Sequence, residues 1–155
     1  MKKAIFLYDY TGLMAQPWLD AGYECWCFDG QHEPGIVRDG LHVKVGMWLH
    51  PTSAEAIKLI AGDGVCFVFG FPECTDLTVA GAKHWKRKKL ENPRFQIEAM
   101  QLSDLVRQVG DLCDAPWAFE NPVGALSTIY RKPDFSFHPC DFAGYLPEND
   151  AHPIY

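Results

Sequence analysis

Short apolar runs that break off at turns alternate with segments of helical spacing along this chain. That alternation restricts it to one class of architecture. Ala4–Tyr8, Tyr23–Phe28, Leu41–Trp48, Val65–Gly70 and Trp117–Phe119 read as strands, being short, rich in branched and aromatic residues and bounded by turn residues. Leu13–Ala21, Pro51–Ala61 and Phe95–Leu112 read as helices. Gly22 stands where it stops the first, and Thr52 or Ser53 where it caps the second. Ile97, Met100, Leu102, Leu105, Val106 and Val109 repeat with helical spacing in the third. Gln31–Gly40 is predicted as a loop, Thr75–Pro93 as an irregular stretch, and Phe135–Phe137 as a last short strand. Strands alternating with helices predict an α/β fold: a right-handed, Rossmann-like parallel sheet with helices on both faces.

A chain of 155 residues is expected to form a single domain, residues 1–155, around one core. With 48% hydrophobic residues it is not a disordered chain. No apolar run approaches the ~20 residues of a membrane span, and Met1-Lys2-Lys3 leads into a strand rather than a signal peptide. The six cysteines, Cys25, Cys27, Cys66, Cys74, Cys113 and Cys140, form no CxxC pair and face no histidine pair at ligand spacing. They are expected as reduced thiols of a cytoplasmic protein, with no metal site. Trp18, Trp26 and Trp48 are expected in the core. The net charge of −6 argues against a broadly basic nucleic-acid binder. Against that background Lys83-His84-Trp85-Lys86-Arg87-Lys88-Lys89 is a compact basic run. It reads either as a solvated helix end or as a phosphate-contacting loop, with Lys86, Arg87 and the later Arg131 as candidate substrate contacts.

Two segments carry chemistry. Val68–Thr75 runs a strand into a turn that presents Cys74, and Trp117–Pro122 runs a second strand into a turn that presents Glu120. Loops at the carboxyl ends of parallel strands face one crevice, so a thiol nucleophile and an acid can meet over one substrate. Asp29, ending the second strand, stands where such folds place a carboxylate for a ribose hydroxyl. Asp9 ends the first strand.

With these residues in order, the chain resembles the C5-cytosine DNA methyltransferase family, and within it small phage and prophage proteins. The resemblance rests on Pro72-Glu73-Cys74-Thr75 with Leu77-Thr78-Val79-Ala80-Gly81, on Glu120-Asn121-Pro122, and on Asp9-Tyr10-Thr11-Gly12 through Asp29. It implies a class I methyltransferase-like fold truncated at its C-terminus, without a target-recognition domain. It also implies S-adenosylmethionine as cofactor, bound near Asp9, Gly12, Asp29 and Pro72. Cys74 would be the nucleophile toward cytosine C6 and Glu120 the partner of N3. Thr75, Asn121 and Pro122 would shape the substrate side, and DNA or a cytosine nucleotide would be the substrate. A protein partner or a second copy is expected to supply target recognition. Glu73 stands where the larger family has proline, and Gly12 is the one glycine in a turn that usually has several. Those departures favour the alternative, a catalytically inactive methyltransferase-like module that binds a nucleotide or nucleic acid, in phage–host conflict.

Overall fold

The computed structural model describes residues 1–138 and 141. Five strands, β1 (Lys3–Leu7), β2 (Glu24–Asp39), β3 (His42–Gly46), β4 (Val65–Gly70) and β5 (Trp117–Phe119), form one sheet in the order β3-β2-β1-β4-β5. β1 pairs in parallel with β2 and with β4, and β4 with β5. The central strands are near-continuous apolar runs because both of their faces are covered. One face packs Ile5, Leu7, Phe28, Val43 and Val68 against Ile57 of α2 (Ala54–Ala61) and Leu105, Val106 and Val109 of α4 (Phe95–Cys113). The other packs Ala4, Phe6, Cys25 and Cys27 against Met14, Ala15, and Trp18 and Leu19 of α1 (Gln16–Asp20). The predicted α/β class, with helices on both faces, is the one that forms.

β2 departs from the predicted loop at Gln31–Gly40. Cys25–Asp29 pairs with His42–Gly46 in rising order, as parallel strands do. Ile36, Val37, Arg38 and Asp39 then pair with Val45, Lys44, Val43 and His42 in falling order. This second arm therefore lies antiparallel along the outer edge of β3, and β2 clasps β3 from both sides. The crossing passes over Gly46, where a Cβ would come within 2.0 Å of the Glu33 carbonyl oxygen. Gly40, at φ 57°, supplies the reversal into β3. Pro34 is tolerated because the arm is a sheet edge. Arg38 ties the arm back, donating to Glu24 Oε2 at 2.9 Å with its guanidinium 5.4 Å from the Trp26 ring centre. The punctuation of this segment marks a crossing and a turn, not a loop.

Other boundaries shift as well. The first helix is confined to Gln16–Asp20, with Pro17 at its start. The stretch from Thr75 holds a 3-10 helix (Val79–His84) and α3 (Trp85–Glu91). Ser53 occupies the N-cap position of α2, yet its hydroxyl accepts from the His50 N–H (2.9 Å) and makes no capping bond. Phe135–Phe137 is not a strand. Trp48 is 71% exposed rather than in the core, its ring resting against Gly30, which has no side chain to hold it off. Among the described residues no helix is long and apolar enough to cross a membrane. Cys25, Cys27, Cys66, Cys74 and Cys113 are free thiols; Cys140 lies outside the described residues.

α5 (Leu126–Ile129) is held to α4 through Asp104. The Asp104 carboxylate accepts from Arg107 (2.7 and 2.9 Å), Tyr130 Oη (2.7 Å) and Gln108 (3.0 Å). Arg107 and these donors hold its pKa down to about 2. A carboxyl depressed in the folded state adds stability above its unfolded pKa of ~3.9 and loses it as pH falls through the folded value. Asp104→Asn should therefore lower unfolding free energy by about 1–2 kcal/mol at pH 7, with the difference from the wild type closing between about pH 4 and pH 2. Denaturant titrations across that range check it.

Candidate functional site

Parallel pairing brings the carboxyl ends of the strands to one edge. There Tyr8 N–H donates to Phe28 O (2.8 Å), Phe71 N–H to Leu7 O (3.0 Å) and Glu120 N–H to Gly70 O (3.2 Å). The strand order reverses between β1 and β4, the position at which open α/β sheets leave a ligand crevice. A cavity of about 380 Å³ lies there, lined by Tyr8, Asp9, Tyr10, Thr11, Asp29 and Phe71 among others. That volume lies within the range of small-molecule sites. A larger cavity of about 650 Å³ is bounded by Gly110, Asp111 and Asp114–Trp117. It sits at the amino end of β5, away from the strand tips.

Backbone geometry builds the cavity floor. Tyr8 adopts φ 61°, a left-handed conformation rare outside glycine, and its hydroxyl is anchored to the Leu102 carbonyl of α4 (2.9 Å). Burial raises the pKa of that phenol, which stays a hydrogen-bond donor. Asp9 follows, 5% exposed. Its Oδ1 accepts from the Gly12 N–H (2.9 Å) and the Thr11 hydroxyl (3.2 Å), whereas Oδ2 is buried with no partner. Gly12, at φ 72°, closes this turn. Asp29 is buried beside it, its Oδ1 taken by the Gln31 N–H (2.8 Å). His32, 8% exposed, holds the Tyr10 carbonyl through Nε2 (3.0 Å) and leaves Nδ1 buried without a partner. Beneath the turn, Cys27 Sγ lies 3.4 Å from His42 Nε2. Burial pushes the thiol pKa up and the imidazole pKa down, leaving a neutral structural pair.

Cys74 and Glu120 stand on neighbouring loops of the same edge. Cys74 follows β4, and its carbonyl accepts from the N–H groups of Leu77 and Thr78 (both 2.9 Å). Pro72 is buried behind it. Glu73 points its carboxylate at the Thr75 hydroxyl, which donates to it at 3.0 Å. The loop after β5 is sewn to the Cys74 loop by backbone bonds: Val79 N–H to Val123 O (3.1 Å), Ala125 N–H to Leu77 O (2.6 Å), and an antiparallel bridge between Thr78 and Gly124. Glu120, half-buried, has its pKa raised by burial. The Asn121 side-chain amide is buried with neither Oδ1 nor Nδ2 partnered, and Pro122 is exposed.

Asp9, Asp29, Cys74, Glu120 and Asn121 all stand at or just beyond the ends of parallel strand segments that point to this edge. Arg131 is engaged otherwise: it donates to Asp134 (2.7 Å) and lies 5.8 Å from the Trp117 ring centre. Arg87 pairs with Glu91 (2.9 Å). Sequence reading assigned no role to Tyr8, Tyr10 or Phe71, which line the cavity, or to His32, which holds the Tyr10 carbonyl beside it. Comparison with protein-family models, curated proteins and solved structures returns no match to this chain.

The seam between the two loops depends on Gly124, where a Cβ would sit 1.8 Å from the Leu77 carbonyl oxygen. Gly124→Ala should push the loops apart and cost about 1–3 kcal/mol, read as a melting point lower by several degrees. An unchanged melt would show that the loops are not joined there.

Proposed function

We propose that the protein is an S-adenosylmethionine-dependent cytosine C5 methyltransferase, or a close relative acting on another pyrimidine. One observation carries the reading. Cys74 and Glu120 rise from adjacent parallel strands on loops joined by backbone bonds, at the edge that also holds the acidic cavity. The residues present fit the methyl donor. Asp29 suits ribose hydroxyls, and the unpartnered Asp9 Oδ2 suits a cationic or donor group. When bound, that cofactor supplies an electrophilic methyl group.

Cytosine C5 is a weak nucleophile until the ring is activated. The Cys74 thiolate forms a bond to C6, and the displaced ring electrons are accommodated at N3, where Glu120 gives a proton. C5 is then nucleophilic and takes the methyl group that the bound cofactor would supply on leaving as its thioether. N3 returns its proton to Glu120, and loss of the C5 proton to water with cleavage of the sulfur–C6 bond returns the thiolate and the aromatic ring. Burial raises the Glu120 pKa, which keeps the carboxyl protonated to higher pH than a solvated glutamate near ~4.3. The Glu73 carboxylate is engaged by Thr75.

A pyrimidine carrying fluorine at C5 cannot lose a proton there. With methyl donor present, the wild type should form a denaturation-resistant adduct with a 5-fluorocytosine substrate. Cys74→Ser should form none, because a serine hydroxyl is barely ionised near neutrality. Glu120→Gln should slow the adduct by about 10²–10⁴-fold and remove one ionisation from the pH–rate profile. Binding without any adduct, across nucleotide, single-stranded and duplex substrates, would reassign the protein as a nucleotide-binding relative without catalysis.

A further inference from the structure

The fold splits the basic run into two populations. Lys88 turns inward, its ammonium paired with Asp76, two residues beyond Cys74. Gln96 of α4 donates to the Asp76 carbonyl at 3.2 Å, fixing that residue from a second side. Arg87 is held by Glu91. Lys83, Lys86 and Lys89 are exposed, and none has an ion-pair partner among the described residues. They recur at every third position from the end of the 3-10 helix through α3. At ~1.5–2 Å of rise per residue the row is roughly 10 Å long.

Three uncompensated ammonium groups side by side are unusual in a chain of net charge −6, since each raises the cost of charging its neighbours. The opposite flank of the edge is acidic, with Asp9 and Asp29 in the cavity. Charge is therefore partitioned: the nucleophile's flank attracts anions and the cavity's flank repels them. The Lys88–Asp76 pair couples the basic row to the Cys74 turn.

We infer that Lys83, Lys86 and Lys89 form a docking strip for the phosphate backbone of single-stranded nucleic acid. A row of this length spans a few phosphates of one strand, fewer than the ~6–10 contacts of a duplex binder. An unpaired strand also presents its base to Cys74 and Glu120 without the few kcal/mol of unpairing. The inference rests on the proposed pyrimidine site for what the strand delivers, but not for binding itself.

The test is binding of a fluorescent, cytosine-containing single strand to the full chain, without methyl donor, from 50 to 200 mM salt. Three contacts predict a log–log salt slope of about −2, and Lys86→Gln with Lys89→Gln should flatten it by about 1.4. Lys2→Gln with Lys58→Gln removes equal charge from β1's leading end and from α2, and should leave the slope unchanged. Cys74→Ser should bind the strand normally, so failure of the fluorocytosine adduct and failure of the strip are read separately. Equal flattening by both lysine pairs, tighter binding of the matching duplex, or no binding at 50 mM salt would each overturn the strip.

Discussion

The structure depends on the burial of β1 between two parallel neighbours. Ile5, Phe6 and Leu7 are fully buried, each contributing about 1.5–3 kcal/mol from removal of apolar surface. Their backbone pairs on one side with β2 and on the other with β4. Parallel pairing of this kind requires both faces to be covered, which α2 and α4 do on one side and α1 on the other. It also fixes direction. Once the central ladder is parallel, β1, β4, β5 and the Cys25–Asp29 stretch of β2 all point to the same edge, and the reversal of order at β1 and β4 opens a crevice there. The cavity, the Cys74 turn and the Glu120 turn share one edge because of that ladder.

The polar cost of the fold is concentrated in the same region. Among the described residues the buried side-chain atoms without a hydrogen-bond partner are Asp9 Oδ2, His32 Nδ1, Trp85 Nε1 and both amide atoms of Asn121. Each such group costs about 1–3 kcal/mol when left unpaired. Asp9 and Asn121 follow β1 and β5 directly, His32 lies on the crossing beyond Asp29, and Trp85 begins the helix tied to the Cys74 turn. The left-handed Tyr8 adds backbone strain of the same order. Unsatisfied atoms elsewhere would be a defect; gathered at the open end of a parallel sheet they match a site completed by a ligand.

The central strands were legible because burial on both faces leaves an uninterrupted apolar run, as in Ala4–Leu7 and Val65–Gly70. The positions of Cys74, Glu120, Asp9 and Asp29 at strand ends followed from those runs and from parallel topology. The clasp of β2 around β3 was not legible. Pro34, Gly35 and Gly40 are the residues of a loop, and only the steric demand at Gly46 for the crossing Glu33 carbonyl shows why a strand needs them. Trp48 was misplaced for a related reason: an aromatic predicts burial, yet here its shelf is a bare glycine backbone. The division of the basic run into an inward Lys88 and an outward row lay beyond sequence, because it turns on the pairing of Lys88 with Asp76 twelve residues earlier. His32 carried no signal of its own, since its role comes from the Tyr10 carbonyl it holds.

The proposed function requires that the strand-end cavity bind an adenosyl ligand. Titration calorimetry with S-adenosylmethionine and S-adenosylhomocysteine tests it most directly. The account predicts saturable binding by the wild type and by Cys74→Ser. It predicts binding weaker by about 10- to 100-fold in Asp29→Ala, the loss expected for one charged hydrogen bond. No heat of binding at millimolar ligand, or equal affinity of the wild type and Asp29→Ala, would contradict it.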